Sequence, residues 1–412
     1  MPEPLAPASI RAQIPATSRY VYLNTGWQGP SPLSVTRAVQ EAFAREADGP
    51  TAPDVNEFRL HEFRRARRSL AGLIGAGGDE ISLQQNSTEG INIVLNGLRL
   101  EEGDEVISCS LEHSSVIVPA YYSRERSRTA VKFVRLSPAD TPEEIVARFE
   151  AAATPALKLI VVSHITYGTG QLLPIHELSR LAHQCGGYLL LDAAQSVGQI
   201  PVDVGQLECD FCVFPGHKWL LGPAATGALF VRRELIAALE PPKVAHHASE
   251  HYNFKGQFQP KGDTIDKFEL TTVSVPLFAG LNAAIDFIGG IGVENVRDRT
   301  RELARYATRR LSEAPGLQFV STPDPERVMS GLVSFSLPGV DPRHLTAVLW
   351  ERARIVARTV PDASCTRVSL HIFNTEAEVD ALVGEVQEAA RNGVPAGDYP
   401  SAQLEWEAMT EL

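Results

Sequence analysis

The chain has 412 residues, 44% hydrophobic and 21% charged, with 38 Lys+Arg against 50 Asp+Glu for a net charge of −12. That mixture fits a globular chain with a large core and excludes a disordered or fibrous one, while the acidic balance argues against a broad nucleic-acid-binding surface. Five cysteines, an odd number spread through a long chain, exclude a disulfide scaffold.

The first fifteen residues, MPEPLAPASIRAQIP, lack a basic segment followed by an apolar one, so no secretory signal is read. No apolar run approaches the roughly 18 residues that cross a bilayer. The expected setting is the cytoplasm, with no membrane and no nucleic acid as partner. Arg64-Arg65-Ala66-Arg67-Arg68 lies on a helical pattern and reads as a solvated helix face.

From about residue 80 to 235, β-rich runs alternate with helical patterns. Strands are predicted at Glu105 to Ser110, Val131 to Leu136, Leu157 to Ile165, Tyr188 to Asp192, Phe211 to Phe214 and Gly227 to Val231. Several are continuously apolar, which is how strands covered on both faces read. Ile91, Val94, Leu95 and Leu98 follow helical spacing, as do Leu178, Leu181, Ala182 and Cys185 before Gly186-Gly187. This alternation predicts an α/β domain on a mainly parallel sheet. Cys209-Asp210-Phe211-Cys212 has the spacing of a metal or redox pair. Without a second pair, and running into a buried strand, it reads as structural, and no metal site is expected.

Between Glu240 and Lys267 the periodicity is lost, which predicts a long loop. Helices follow at Pro276 to Ile288 and Val293 to Ser312, then a second α/β set at Gly331 to Leu337, Asp341 to Ala353 and Arg367 to His371. The tail from Gly393 has little apolar pattern beyond Leu404, Trp406 and Met409, and is expected to be mobile or to pack on a partner.

In open α/β sheets ligands bind at the carboxyl ends of the strands. The polar residues there are Ser87-Thr88-Glu89, Glu112-His113, Tyr167-Gly168-Thr169-Gly170, Asp192-Ala193-Ala194-Gln195 and Gly216-His217-Lys218. A carboxylate, an imidazole, a lysine, several hydroxyls and a helix N-terminus are what a pyridoxal phosphate site needs. Asp192 closes an apolar run, where a protonated pyridine nitrogen would give it a partner, although capping the next turn explains it equally. Lys218 follows a buried strand, so its pKa should be depressed and its amine available for Schiff-base chemistry. Ser87 and Thr88 open a helix and could cradle a phosphate, or serve as a plain N-cap.

Taken in order, Tyr22-Leu23-Asn24, Asn86-Ser87-Thr88-Glu89-Gly90-Ile91-Asn92, Glu112-His113, the Asp192–Gln195 segment, Gly216-His217-Lys218-Trp219 and Arg367-Val368-Ser369-Leu370-His371-Ile372-Phe373-Asn374-Thr375 resemble the class V family of pyridoxal-phosphate aminotransferases and cysteine desulfurases. The resemblance covers nearly the whole chain. It implies fold type I, with a large domain on a mainly parallel seven-stranded sheet and a smaller α/β C-terminal domain. The expected division is an N-terminal arm (1–20), a cofactor domain (21–268), a small domain (269–395) and a tail (396–412), in a homodimer with shared active sites.

The resemblance also implies residue roles. Lys218 would carry the cofactor and move protons, Asp192 would pair with the pyridinium, Gln195 would contact the phenolic oxygen, and His113 would stack on the ring. Ser87, Thr88 and His217 would hold the phosphate, with Thr272 reaching in from the second subunit. Pro215 and Tyr167 depart from the pattern, since many relatives have Ser or Thr at the first position and desulfurases usually have Asn at the second. Arg367 would hold the α-carboxylate of an amino-acid substrate, a task suited to guanidinium geometry, and Asn24 is a further substrate-site candidate.

A desulfurase also needs an activated cysteine upstream of that arginine. Arg352 to Ser364 contains none, and Cys365 lies two residues before Arg367, on the same face of a strand. The Arg354–Arg367 segment, together with Gly26-Trp27-Gln28-Gly29, Gly331-Leu332-Val333-Ser334-Phe335 and Lys267-Phe268-Glu269-Leu270, resembles the carbon-sulfur lyases that cleave cystine or related cysteine derivatives. There Arg358 would assist substrate binding. The expected reaction is β-elimination from cystine, cysteine or an S-substituted cysteine, giving pyruvate, ammonia and a thiol or persulfide. A class V aminotransferase or an amino-acid epimerase on the same scaffold is the alternative, with a cysteine desulfurase behind both.

Overall fold

The structure, a computed structural model, describes residues 7–395 and 399–411. After the short strand β1 (Val21–Tyr22), seven strands build the central sheet: β2 (Ile81–Gln84), β3 (Glu105–Cys109), β4 (Ala130–Val134), β5 (Leu157–Ser163), β6 (Tyr188–Asp192), β7 (Phe211–Pro215) and β8 (Gly227–Val231). Their order is β2-β8-β7-β6-β5-β3-β4. The five strands from β7 to β4 are parallel to one another, and β8 alone runs against its neighbours.

The apolar runs form these strands because both sheet faces are covered. Ile160 and Val162 of β5 enter one apolar layer with Leu189, Leu191, Cys212 and Phe214, while Leu159 and Val161 enter the opposite layer with Leu190, Phe211 and Val213. Period-two alternation thus feeds two cores at once. Cys209 and Cys212 are buried in the first layer, and among the described residues no His/Cys/Asp/Glu group could hold a metal ion.

The segment expected as a loop holds a hairpin of β9 (Ser249–Tyr252) and β10 (Phe258–Pro260), with Tyr252, Phe254 and Phe258 exposed. Beyond it, β11 (Gln318–Phe319), β12 (Leu332–Ser336), β14 (Arg358–Val360) and β15 (Cys365–Ser369) form an antiparallel sheet in the order β11-β12-β15-β14, and β13 (Ile355–Val356) pairs with β1. Helices Val293–Leu311, Pro342–Ala353 and Glu376–Asn392 supply its apolar cover, with Leu303, Leu345, Leu349 and Leu382 in one core.

Packing differs from chain order in two places. Leu23 lies in the C-terminal core, brought there by the β1–β13 pair. Helix Val275–Ile291 packs on helices Leu33–Asp48 and Pro53–Leu73, and its Phe278, Leu281 and Ile285 join the core of the large sheet. It is buried on nearly all sides, which its almost uninterrupted apolar sequence allows. A boundary at 268/269 therefore separates this helix from the sheet it covers.

Two further expectations change. The arginine run is not simply solvated, because Arg67 makes two hydrogen bonds of 2.8 and 2.7 Å to buried Glu269, which also accepts from the Leu83 backbone. The expected arm and tail fall partly outside the described residues, at 1–6, 396–398 and 412. Within the tail, Pro400–Glu411 is a helix packed on Pro342–Ala353 of the same chain, in place of the mobile or partner-bound segment expected. Among the described residues no single helix is long and apolar enough to cross a membrane.

Candidate active site

A cavity of about 240 Å³ opens at the carboxyl ends of β6 and β7 and is lined by Ser87, Thr88, His113, Asp192, Gln195, His217, Lys218 and Arg358. Eight sequence candidates thus meet in one place. Ser87 and Thr88 begin helix Ser87–Gly97, but the N-cap is Asn86, whose side chain accepts from the Glu89 backbone at 2.9 Å. The capping explanation for Ser87 and Thr88 is thereby removed, and their hydroxyls border the cavity at the positive end of a helix dipole.

Asp192 ends β6, buried at 4% exposure, and one of its oxygens accepts from the Ala194 backbone at 2.9 Å. Burial raises its pKa and Lys218 opposes the rise. Its capping role uses one oxygen and leaves the other for a cation. Burial, opposed by Asp192 and reinforced by Arg367 and Arg358, lowers the Lys218 amine to about 8. His113 caps helix Ser114–Ser127 through its ring nitrogen, which accepts from the Ser115 backbone at 3.1 Å, and its ring stands edge-on to Tyr167. Burial, with Lys218 nearby, lowers His113 to about 3, so it is a neutral imidazole. Beneath it, buried Glu112 accepts from the backbone and hydroxyl of Ser163 at 2.8 and 2.5 Å, and burial raises its carboxyl to about 7.

Gln195 donates to the Gly26 carbonyl and accepts from the Trp219 indole, both at 2.8 Å, which fixes its amide and leaves one N–H uncommitted. Gly26 lets the backbone approach closely here, because a Cβ would stand 2.7 Å from the Ser369 hydroxyl and 3.2 Å from the Arg367 guanidinium and would displace those side chains.

Arg358 of β14 and Arg367 of β15 are register partners, so their side chains leave the same face of the small sheet. Arg367 is fully buried, donates to the Tyr167 carbonyl at 2.9 Å, and keeps two further guanidinium nitrogens buried without a partner among the described residues. Burial, then Arg358, lowers its pKa. Arg358 lies over the Trp27 ring at 4.5 Å. Two adjacent cations with unmet donors are costly to hold, and a carboxylate would satisfy them.

Three candidates do not line this cavity: Arg367, fully buried on β15, and two others. Asn24 borders an adjoining cavity that shares Trp27, Asn86, His217 and Ala408 with the first, and among the described residues its buried side-chain oxygen has no partner. Thr272 is exposed, at a φ of 61°, and does not line this cavity. Conversely, Ser163, Trp27, Ala408 and Met409 border the site without having been singled out for it. The helical spacing of Glu405, Ala408 and Met409 is the one signal that could have found the last two.

The class-V aminotransferase family model matches residues 22–382. The chain belongs to this family. Its members are pyridoxal-phosphate-dependent enzymes on this α/β fold. Over 401 residues the chain is 31% identical to a probable cysteine desulfurase of Methanothermobacter thermautotrophicus, covering 93% of this chain and 98% of the relative. It is also 31% identical to the isopenicillin N epimerase of Amycolatopsis lactamdurans, covering 93% and 98%. Among solved structures, the cystine C-S lyase C-DES in complex with its reaction product cysteine persulfide superposes with a TM-score of 0.85 at 27% identity, covering 91% of this chain and 99% of that one.

The cavity of this family member suits the cofactor on its own chemistry. Among the described residues, the buried His217 ring nitrogen and the hydroxyls of Ser87 and Thr88 have no partner, which suits a phosphate. The second Asp192 oxygen suits a ring N–H. Among the described residues the Lys218 amine has no hydrogen-bond partner, and its lowered pKa suits covalent attachment.

Proposed function

We propose that the chain is a carbon-sulfur β-lyase that acts on cystine, cysteine or an S-substituted cysteine and yields pyruvate, ammonia and a thiol or persulfide. The observation that carries this reading is the state of the cysteines. Cys365, nearest the arginines, is fully buried against Tyr167 and Val360, and burial raises its thiol to about 11. An acceptor of sulfur must be exposed and ionised, and this thiol is neither. Cys109, Cys209 and Cys212 are buried as well, and Cys185 ends helix Ile175–Gln184. With Cys365 closed off and, among the described residues, no cysteine lining the cavity, sulfur removed from the substrate leaves in this reading as a small molecule.

Pyridoxal 5′-phosphate, when bound, supplies the electron sink for charge developing at the substrate α-carbon. In this reading Ser87, Thr88 and His217 hold its phosphate, Asp192 its ring nitrogen, and His113 and Gln195 its ring face and phenolic oxygen. Arg367, with Arg358 beside it, takes the substrate carboxylate and so aims the α-hydrogen at Lys218. The Lys218 amine accepts that proton. The bond from the β-carbon to sulfur breaks with its electrons on sulfur, and water completes release of pyruvate and ammonia. For cystine the balance is cystine and water to pyruvate, ammonia and cysteine persulfide. The homodimer, with Thr272 completing the partner's phosphate site, and a cytoplasmic setting belong to the same proposal.

The test is pyruvate release by purified holoenzyme from cystine, cysteine and S-substituted cysteines. Pyruvate in step with thiol or persulfide is expected, and Lys218→Ala should lower the rate by roughly 10² to 10⁴-fold. Bound cofactor with no pyruvate from any of them would sink the reading. Epimerisation is the second reading, favoured by the similarity to isopenicillin N epimerase. Exchange of α-deuterium without elimination would select it, and a required 2-oxo acid acceptor would select transamination.

A further inference from the structure

The helix Pro400–Glu411 reaches the substrate cavity from the end of the chain. Its half-buried positions are Ser401, Ala402, Glu405, Ala408 and Met409, a face with helical periodicity, while Gln403, Leu404, Trp406, Glu407 and Thr410 are exposed. One end of that inner face is tied to the small domain. Ser401 donates to Glu351 at 3.2 Å, and the ring of nearby Tyr399 lies 5.2 Å from that of His344.

The middle is held by Glu405, whose two oxygens accept from the Thr359 backbone at 2.8 Å, the Thr359 hydroxyl at 3.1 Å and the Thr346 hydroxyl at 3.0 Å. Thr359 is the neighbour of Arg358 on β14. The far end brings Ala408 and Met409 to the wall of the cavity that holds Lys218, and Ala408 also borders the adjoining one. A carboxylate bound through three hydrogen bonds beside a cation is a strong attachment for a helix with so little apolar surface on its inner face.

We infer that helix Pro400–Glu411 is a wall of the substrate pocket, latched by Glu405 to the strand that carries Arg358, and that Met409 sets the upper size of the amino-acid side chain admitted. The inference rests on the proposed amino-acid binding but not on which reaction follows. Arg367 and Lys218 place the α-carboxylate and the α-carbon, so the side chain of the substrate must extend along the remaining walls, where Met409 and Trp27 stand. A thioether there is flexible and gives way gradually to larger groups. Glu405 is a positioning residue in this scheme and Met409 the specificity-determining one.

The test measures binding of cysteine and S-benzylcysteine by calorimetry to the Lys218→Ala protein loaded with pyridoxal phosphate, where no turnover consumes the ligand. Adding Met409→Ala, or ending the chain after Val394, should shift preference toward S-benzylcysteine by about tenfold, the scale on which pocket size discriminates between substrates. Met409→Trp should shift it the other way. Binding with the same preference in all variants would overturn the inference while leaving the amino-acid reading intact, whereas binding of neither ligand by any variant would overturn that reading itself. The latch is read separately, without cofactor or ligand. In an Ala408→Cys protein, maleimide labelling of the peptide containing position 408, followed by mass spectrometry, should accelerate at least about tenfold on adding Glu405→Ala. Equal rates would remove the latch from the scheme.

Discussion

Lys218 shows how single-residue chemistry is set by its surroundings. The depressed pKa follows first from burial, which disfavours the ammonium, against the pull of Asp192. The sign follows directly: the amine is protonated below about pH 8 and neutral above it, whereas an ordinary exposed lysine stays charged until about 10.4. In protein freed of cofactor, acylation of Lys218 followed by peptide mass spectrometry should therefore rise with a midpoint near pH 8. Asp192→Asn, which removes the attraction that favours the ammonium, should move that midpoint lower. A midpoint near 10 in the parent would mean that the amine is solvated. Lysine at this position was legible from the buried strand before it. The pairing of Glu112 with Ser163 was not, because nothing between positions 112 and 163 of the sequence announces that β3 and β5 are neighbours.

At the scale of elements, the helix proposed to hold the phosphate is seated by a close approach. A Cβ on Gly90 would come within 2.5 Å of the Val213 side chain on β7, so helix Ser87–Gly97 rests directly on the sheet. Gly90→Ala should cost about 1–3 kcal/mol by overpacking and, by lifting the helix, weaken cofactor binding. Denaturant unfolding and titration with pyridoxal phosphate check both, and unchanged values would show that the helix has room to move. Six of the seven central strands were legible, several because their apolar runs are continuous, with boundaries within a few residues of those observed, whereas the short β2 was not read. The helix Pro400–Glu411 was misread because its exposed residues include Leu404 and Trp406 while its inner face carries Glu405. An apolar-face rule fails when a helix is held by hydrogen bonds to a neighbouring strand.

For the whole molecule, the two arginines come from the C-terminal sheet and the lysine and aspartate from the central one, so the site exists only where the two meet. In the proposed homodimer, Thr272 would serve the partner's site. A mixture of Lys218→Ala and Thr272→Ala proteins, exchanged by dilution and reassembly, should then recover activity at limiting cofactor that neither shows alone, because each mixed dimer contains one site with both residues native. Rates equal to the average of the two parents would remove Thr272 from a shared site.

The sequence by itself determined the α/β class, the parallel strands and the order of the lysine, aspartate and histidine segments, because apolar periodicity and local chemistry are written along the chain. Only the tertiary structure decided that Arg358 and Arg367 stand side by side, that Cys365 is shut away from solvent, and that the C-terminal helix closes on the cavity. Those outcomes depend on strand register and on packing between residues far apart in the chain, and distance in space has no local signature in sequence.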